Sequence, residues 1–150
     1  VYTINGKNVK CKWNAKGYRL PTEAEWEYSA RGGQSYKYAG SNNVDEVAWY
    51  RDNSDTGNGR QTHPVGQKKP NGFGLYDMSG NVWEWVWDWK GSYSFLPTVD
   101  PRGPTGGSSR VGRGGCWIYN ARRVRVSYRD DRVPTDTGYA LGFRLARNSP

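Results

Sequence analysis

Few side chains in this 150-residue chain are of the types that do chemistry, and most stand without the partners such chemistry needs. The single histidine, His63, precedes Pro64 with nothing nearby that resembles an activated nucleophile, so it reads as a surface residue rather than a general base. Cys11 and Cys116 lack CxxC spacing and are too few for a disulfide scaffold, and whether they pair stays open. Asp52, Asn53, Ser54 and Asp55 cluster in a polar stretch, but the calcium-loop pattern with its closing glutamate is absent. A second turn, Asp77 to Asn81 followed by Val82 and Glu84, puts a carboxylate at each end with backbone carbonyls between. That is a plausible oxygen cage for a hard cation, or else a satisfied Asx turn beside an exposed glutamate.

Recognition chemistry is concentrated further on. Gly114-Gly115 ahead of Trp117 permits a close backbone approach, Val124 to Tyr128 alternates apolar and polar side chains as a half-buried strand should, and Leu141 to Leu145 does the same as its partner or neighbour. Between these fixed points the residues follow no core pattern: Ile118, Tyr119, Arg122 and Arg123, then Tyr128, Asp130, Asp131, Arg132 and Val133, then Asp136, Gly138, Tyr139 and Ala140. Aromatics, both charge signs and small residues are mixed, which suits a surface. From Ile118 to Ala140 there is no Lys, Glu, Gln, Met or Trp, although all eight lysines lie earlier. Those five residues are the ones that codons ending in a pyrimidine cannot encode.

The elements that must hold these residues are modest. Hydrophobic content is 35%, offset by 15% aromatic residues, and 20 glycines with 8 prolines predict many turns, few long helices and a loop-rich α+β domain. Asn5-Gly6 signals a hairpin or covering loop over residues 1–18. Thr22 with Glu25 forms a capping box that predicts a helix over Glu23–Arg31, stopped by Gly32-Gly33, with Trp26 and Ala30 facing the core. Residues 34–70 are polar, and only Val47 to Tyr50 carry apolar content of their own. Trp83, Trp85, Trp87 and Trp89 alternate along a strand, making a buried layer or, as the alternative, a carbohydrate platform, with Glu84 on the opposite face. Residues 92–109, with Pro97, Pro101 and Pro104, form a loop. The net charge of +8 has ten of the fourteen arginines from Arg102 onward, but no basic run, zinc spacing or RNP-like strand favours nucleic acid. No apolar run reaches membrane-span length.

Three blocks, YRLPTEAEWEYSARGG, NGFGLYDMSGNVWEW and RVGRGGCW with GFRLAR, resemble the formylglycine-generating-enzyme (sulfatase-modifying factor) family over Tyr18 to Arg147. The resemblance implies a C-type-lectin-like fold of small twisted antiparallel sheets, few helices and much loop. It also implies an additional N-terminal part, so residues 1–150 are expected to be one such domain of a longer or processed protein. Enzymatic members bind copper through a cysteine pair; the matching positions, about Tyr119 and Val124, hold no thiolate, so neither copper nor oxidase activity is expected. One structural calcium site transfers, onto the side chains of Asp77 and Glu84 and the carbonyls of Gly80 and Val82. A second family site, falling in Val47 to Asp55, finds no match. The variable proteins of diversity-generating retroelements are more similar still: their C-terminal template is rewritten at adenines, and twelve of the thirteen positions named above, all but Arg122, are matched to such changes, while Val124 and Thr137 depart from the template. The resemblance therefore implies a non-catalytic variable protein with its binding region over 114–146. It would be displayed outside the cell or on its surface, free or lipid-anchored, as a monomer meeting a protein or glycan ligand. A formylglycine-generating oxidoreductase, or an inactive relative serving as a fixed sensor or structural module, is the alternative.

Overall fold

The Thr22 to Glu25 spacing builds the helix it predicts. In the computed structural model, which describes residues 1–6, 8–93, 96 and 98–147, helix α1 spans Glu23–Arg31. Thr22 Oγ1 accepts the Glu25 N–H at 3.2 Å and the Glu25 carboxylate accepts the Thr22 N–H at 2.8 Å, a reciprocal cap that stabilises the helix start by about 1 kcal/mol. Gly32 then ends the helix in the left-handed conformation, φ 56°. Trp26 and Ala30 are buried as their spacing requires. Glu23 is buried with them, which the periodicity does not announce. Pro97, read as part of the 92–109 loop, lies outside the described residues.

Strands β1 (Tyr2–Asn5) and β2 (Asn8–Cys11) form the hairpin announced by Asn5-Gly6. Strand β3 (Tyr18–Arg19) pairs with β8 (Ala146–Arg147), joining the two ends of the chain. The central sheet has the order β6 (Asp130–Arg132), β5 (Arg110–Arg113), β4 (Trp83–Trp89), β7 (Leu141–Phe143). Its β4–β5 and β5–β6 pairings are antiparallel, as the resemblance implies, and β7 joins β4 in parallel. A short helix α2 (Val44–Val47) and a single 3₁₀ turn (Ala121–Val124) complete the described elements.

Two strand readings change. Val124 to Tyr128 is not a strand: Val126 N–H donates to Lys37 O and Tyr128 N–H to Arg125 O, so its backbone pairs with a loop and with its own turn. Along β4 the fully buried side chains are Trp83, Glu84, Val86 and Asp88, while Trp85, Trp87 and Trp89 are half-buried. The core layer is therefore mainly the face opposite the tryptophans.

Two apolar clusters hold these pieces together. Trp26, Ala30, Ala39, Met78, Val86, Val111 and Val126 form one; Val47, Ala48, Tyr50 and Val124 form the other. Between α1 and the sheet lies a charged knot. Arg113 is 0% exposed and donates to Glu23 at 2.6 Å, Glu27 at 2.5 Å and Val126 O at 2.7 Å, while Arg129 adds two further bonds to Glu23. Removing one partner of such a pair leaves a buried charge uncompensated, at a cost of about 3–5 kcal/mol.

Candidate functional site

The segment from Gly114 to Leu141 is pinned at short intervals. Gly115 is left-handed at φ 75°, and a Cβ there would meet Arg123 O at 2.5 Å, so the glycine lets the chain fold back on itself. Trp117 N–H donates to Asn81 O, Arg51 N–H to Tyr119 O, and Trp83 N–H to Ala140 O. Ser54, buried within the polar 34–70 stretch, donates from its hydroxyl to Trp117 O at 3.0 Å. That stretch, polar by sequence apart from Val47 to Tyr50, braces the site. His63 belongs to the brace rather than to open surface: its ring stacks on Trp49 at 3.7 Å, with the Lys68 ammonium over the same indole at 4.0 Å.

On this frame all thirteen expected recognition residues reach the surface. None is buried: Arg122, Asp131, Val133, Gly138 and Tyr139 are exposed, and the other eight are half-exposed. Val124 and Val126, lying among them, are 0% and 1% exposed and are anchored in different clusters. Ile118, Tyr119, Arg132, Asp136, Gly138, Tyr139 and Ala140 come together around one cleft of about 310 Å3. Arg122, Arg123, Tyr128, Asp130, Asp131 and Val133 lie outside that lining.

Trp83, Cys116, Thr137 and Leu141 also line the cleft, and the sequence reading did not place them there. For Trp83 a signal existed, because an indole starting a strand beside the turn must cover something. Its ring meets Tyr119 and Tyr128, each at 6.0 Å, and lies 5.2 Å from the Arg132 guanidinium. Tyr119 in turn carries the Arg123 guanidinium at 4.3 Å, and Tyr139 leans on Trp117 at 5.9 Å. The face is thus a stack of aromatic rings and guanidiniums resting on a buried indole. Such groups provide large contact area with little freedom to lose. Arg132 is also tied to Asp130 at 2.7 Å.

Thiol chemistry is disfavoured here. Cys116 is 0% exposed, and burial pushes its thiol pKa up despite the opposing Ile118 amide; burial does the same to Cys11 against the pull of Arg19. Both cysteines are free. At the positions matched to the copper pair, Tyr119 is half-buried beside the cleft and Val124 sits in the second core cluster.

The expected calcium ligands divide. Asp77, left-handed at φ 56°, accepts the Gly66 N–H with Oδ2, while its Oδ1 is buried with no hydrogen-bond partner among the described residues. Glu84 is 6% exposed, correcting the exposed-glutamate reading. Its oxygens accept Arg144 Nε and Nη2 and Trp26 Nε1, all at 2.6 Å. Asp77 offers an oxygen, whereas a cation at Glu84 has to compete with a bidentate guanidinium. Among the described residues no group of three or more His, Cys, Asp or Glu side chains could hold a metal ion.

Comparison with known proteins places this geometry. Residues 6–149 match the family described as the sulfatase-modifying factor enzyme 1-like domain. The solved structure of Treponema denticola variable protein 1 superposes with a TM-score of 0.86 at 44% identity, covering 93% of this chain and 50% of that one. The formylglycine-generating enzyme of Streptomyces coelicolor is 39% identical over 161 residues, covering 97% of this chain and 51% of its own. The chaperone protein LppX of Paenibacillus barcinonensis is 40% identical over 164 residues, 95% of this chain and 55% of its own. The fold is that of these proteins, α+β and C-type-lectin-like of the formylglycine-generating-enzyme type. The chain spans about half the length of the relatives it matches.

Proposed function

The chain belongs to the sulfatase-modifying factor enzyme 1-like domain family, and from that premise we propose that it is a non-catalytic ligand-binding domain whose recognition surface is built by Ile118 to Ala140. The observation that carries this reading is the separation of roles within one short segment. Every residue expected to vary is at least partly exposed, while Val124 and Val126 between them are buried. A surface that can be rewritten without touching the core needs that separation. The likeness to a protein named a variable protein supports it.

The family also contains oxidases, and the formylglycine-generating alternative remains the rival. Against it stand the absence of thiols at Tyr119 and Val124 and the burial of Cys116. Conversion of a cysteine-containing sulfatase peptide by the copper-loaded protein, read by mass, would establish the rival and remove the proposal. The positive test is sequencing of the gene across cells of one cultured lineage. Substitutions confined to codons 118–140 and arising at adenines support diversified binding; an invariant segment favours a fixed sensor.

Two further elements belong to the same reading. A structural calcium ion would be held by Asp77, Gly80, Val82 and Glu84, the unpartnered Asp77 Oδ1 being the feature that supports it and the Arg144 pairing of Glu84 the one that opposes it. Display outside the cell or on its surface, as a monomer, would let the face meet a macromolecular ligand; surface labelling of intact cells checks that. Among the described residues no helix is long and apolar enough to cross a membrane.

A further inference from the structure

Resting on the proposed binding role, the charge pattern around the cleft narrows the ligand. One stretch of lining, Ile118-Tyr119, is continuous with positive charge. Arg123 stacks on Tyr119, Arg122 beside it is exposed, and neither guanidinium is paired with a carboxylate among the described residues. The other stretch, Asp136 to Leu141, begins with a carboxylate that has no ion-pair partner among the described residues. Trp83, Cys116 and Arg132 line the cleft with these two stretches, and its volume of about 310 Å3, of mixed polar and apolar lining, is at the low end of the roughly 300–1,000 Å3 that small-molecule sites occupy. The recess therefore suits a single anchoring side chain.

A sulfated or acidic glycan presents one sign of charge and would set Asp136 against a polyanion, which like-charge repulsion penalises. A neutral glycan leaves both signs unanswered. Aromatic anchors, arginines and carboxylates of mixed sign are what protein partners match, with an apolar residue in the pocket and opposite charges at its rim. We infer that the ligand is a protein, and that it presents an exposed loop in which an aromatic or large aliphatic side chain enters the cleft, with an acidic residue facing Arg122 and Arg123 and a basic residue facing Asp136.

The test is selection from a displayed library of random disulfide-closed peptide loops against the folded 150-residue protein, with heparin as the competing probe. The expected binders carry an acid, an apolar anchor and a base. Arg123→Glu should weaken them about tenfold or more, and changing the peptide's acid to lysine should restore most of the loss. Tyr139→Ala should weaken them by a similar factor without that rescue. Binders that map to the cleft but lack this charge order, or that heparin displaces, overturn the inference while leaving the binding role standing. A selection yielding no binder that depends on Arg123 or Tyr139 overturns the binding role as well.

Discussion

Adjacent residues in the Ile118–Ala140 segment should differ sharply in what their removal costs. Val124→Ala and Val126→Ala each delete two buried methyl groups. Transfer of that surface is worth about 1.6 kcal/mol, and the cavity left in a closely packed cluster adds about 1 kcal/mol, for roughly 2.5 kcal/mol each. The backbone bonds of Val126, from its N–H to Lys37 O and to its carbonyl from Arg113, are unaffected by the change, so packing alone is read. At about 2–4 °C per kcal/mol for a chain of this size, each melting temperature should fall by about 5–10 °C. The contrasting variant combines Arg122→Ala, Asp131→Ala, Val133→Ala and Tyr139→Ala, four exposed positions of the same segment, Tyr139 being 78% exposed. Surface changes of this kind stay within about 0.5 kcal/mol each, so the fourfold variant should lose less stability than either single valine change. Thermal unfolding followed by near-ultraviolet circular dichroism, with denaturant titration for the free energies, measures both. If the fourfold variant melts as low as the valine variants, or the valine variants melt like the parent, the separation of frame from display surface is wrong.

The charged knot supplies the next expectation: Arg113→Met should cost about 3–5 kcal/mol in denaturant unfolding by stranding Glu23 and Glu27, whereas loss below 1 kcal/mol would show the knot to be dispensable. Asp88 offers a pH test, because burial pushes its pKa up to about 6 from 3.8 against the opposing Glu23 N–H. The folded protein then holds the proton more tightly than the unfolded chain, so this group's contribution to stability falls as pH rises from 3.8 to about 6, by about 3 kcal/mol. Asp88→Asn, which keeps an acceptor for that N–H, should remove this slope in urea titrations across the window; an unchanged slope contradicts the assignment. Glu25 and Glu27 act oppositely, because Arg19 and the Thr22 amide at Glu25, and Arg31 and Arg113 at Glu27, outweigh burial and hold their pKa values down, so their contribution disappears as pH falls through the folded values. For calcium, calorimetric heats should vanish in Asp77→Ala and strengthen in Arg144→Met, which frees Glu84; heats indifferent to Asp77 would dismiss that ligand set.

Local sequence patterns determined the elements whose stabilisation is itself local. The capping box and Gly32 delimit α1, Asn5-Gly6 turns the first hairpin, and the alternation from Trp83 to Trp89 makes a strand whichever face is buried, because each depends on residues within a few positions. The thirteen residues expected to form the recognition surface stand out for a different reason, since their composition departs from any core pattern, and none of them is buried. What local pattern could not decide was anything set by a distant partner. Val124 to Tyr128 alternates like a strand, yet Lys37 O and two separate apolar clusters claim it. Glu84 looks like an exposed carboxylate until Trp26 and Arg144 close on it, and Arg113 looks like any surface arginine until Glu23, Glu27 and Val126 surround it. The cleft itself joins Ile118-Tyr119 to Asp136 through Leu141 only because β7 lies parallel beside β4, bringing Ala140 O to the Trp83 amide and setting the Trp83 indole beneath both segments. A burial face or a buried charge pair is a property of two segments at once, so tertiary structure decides it.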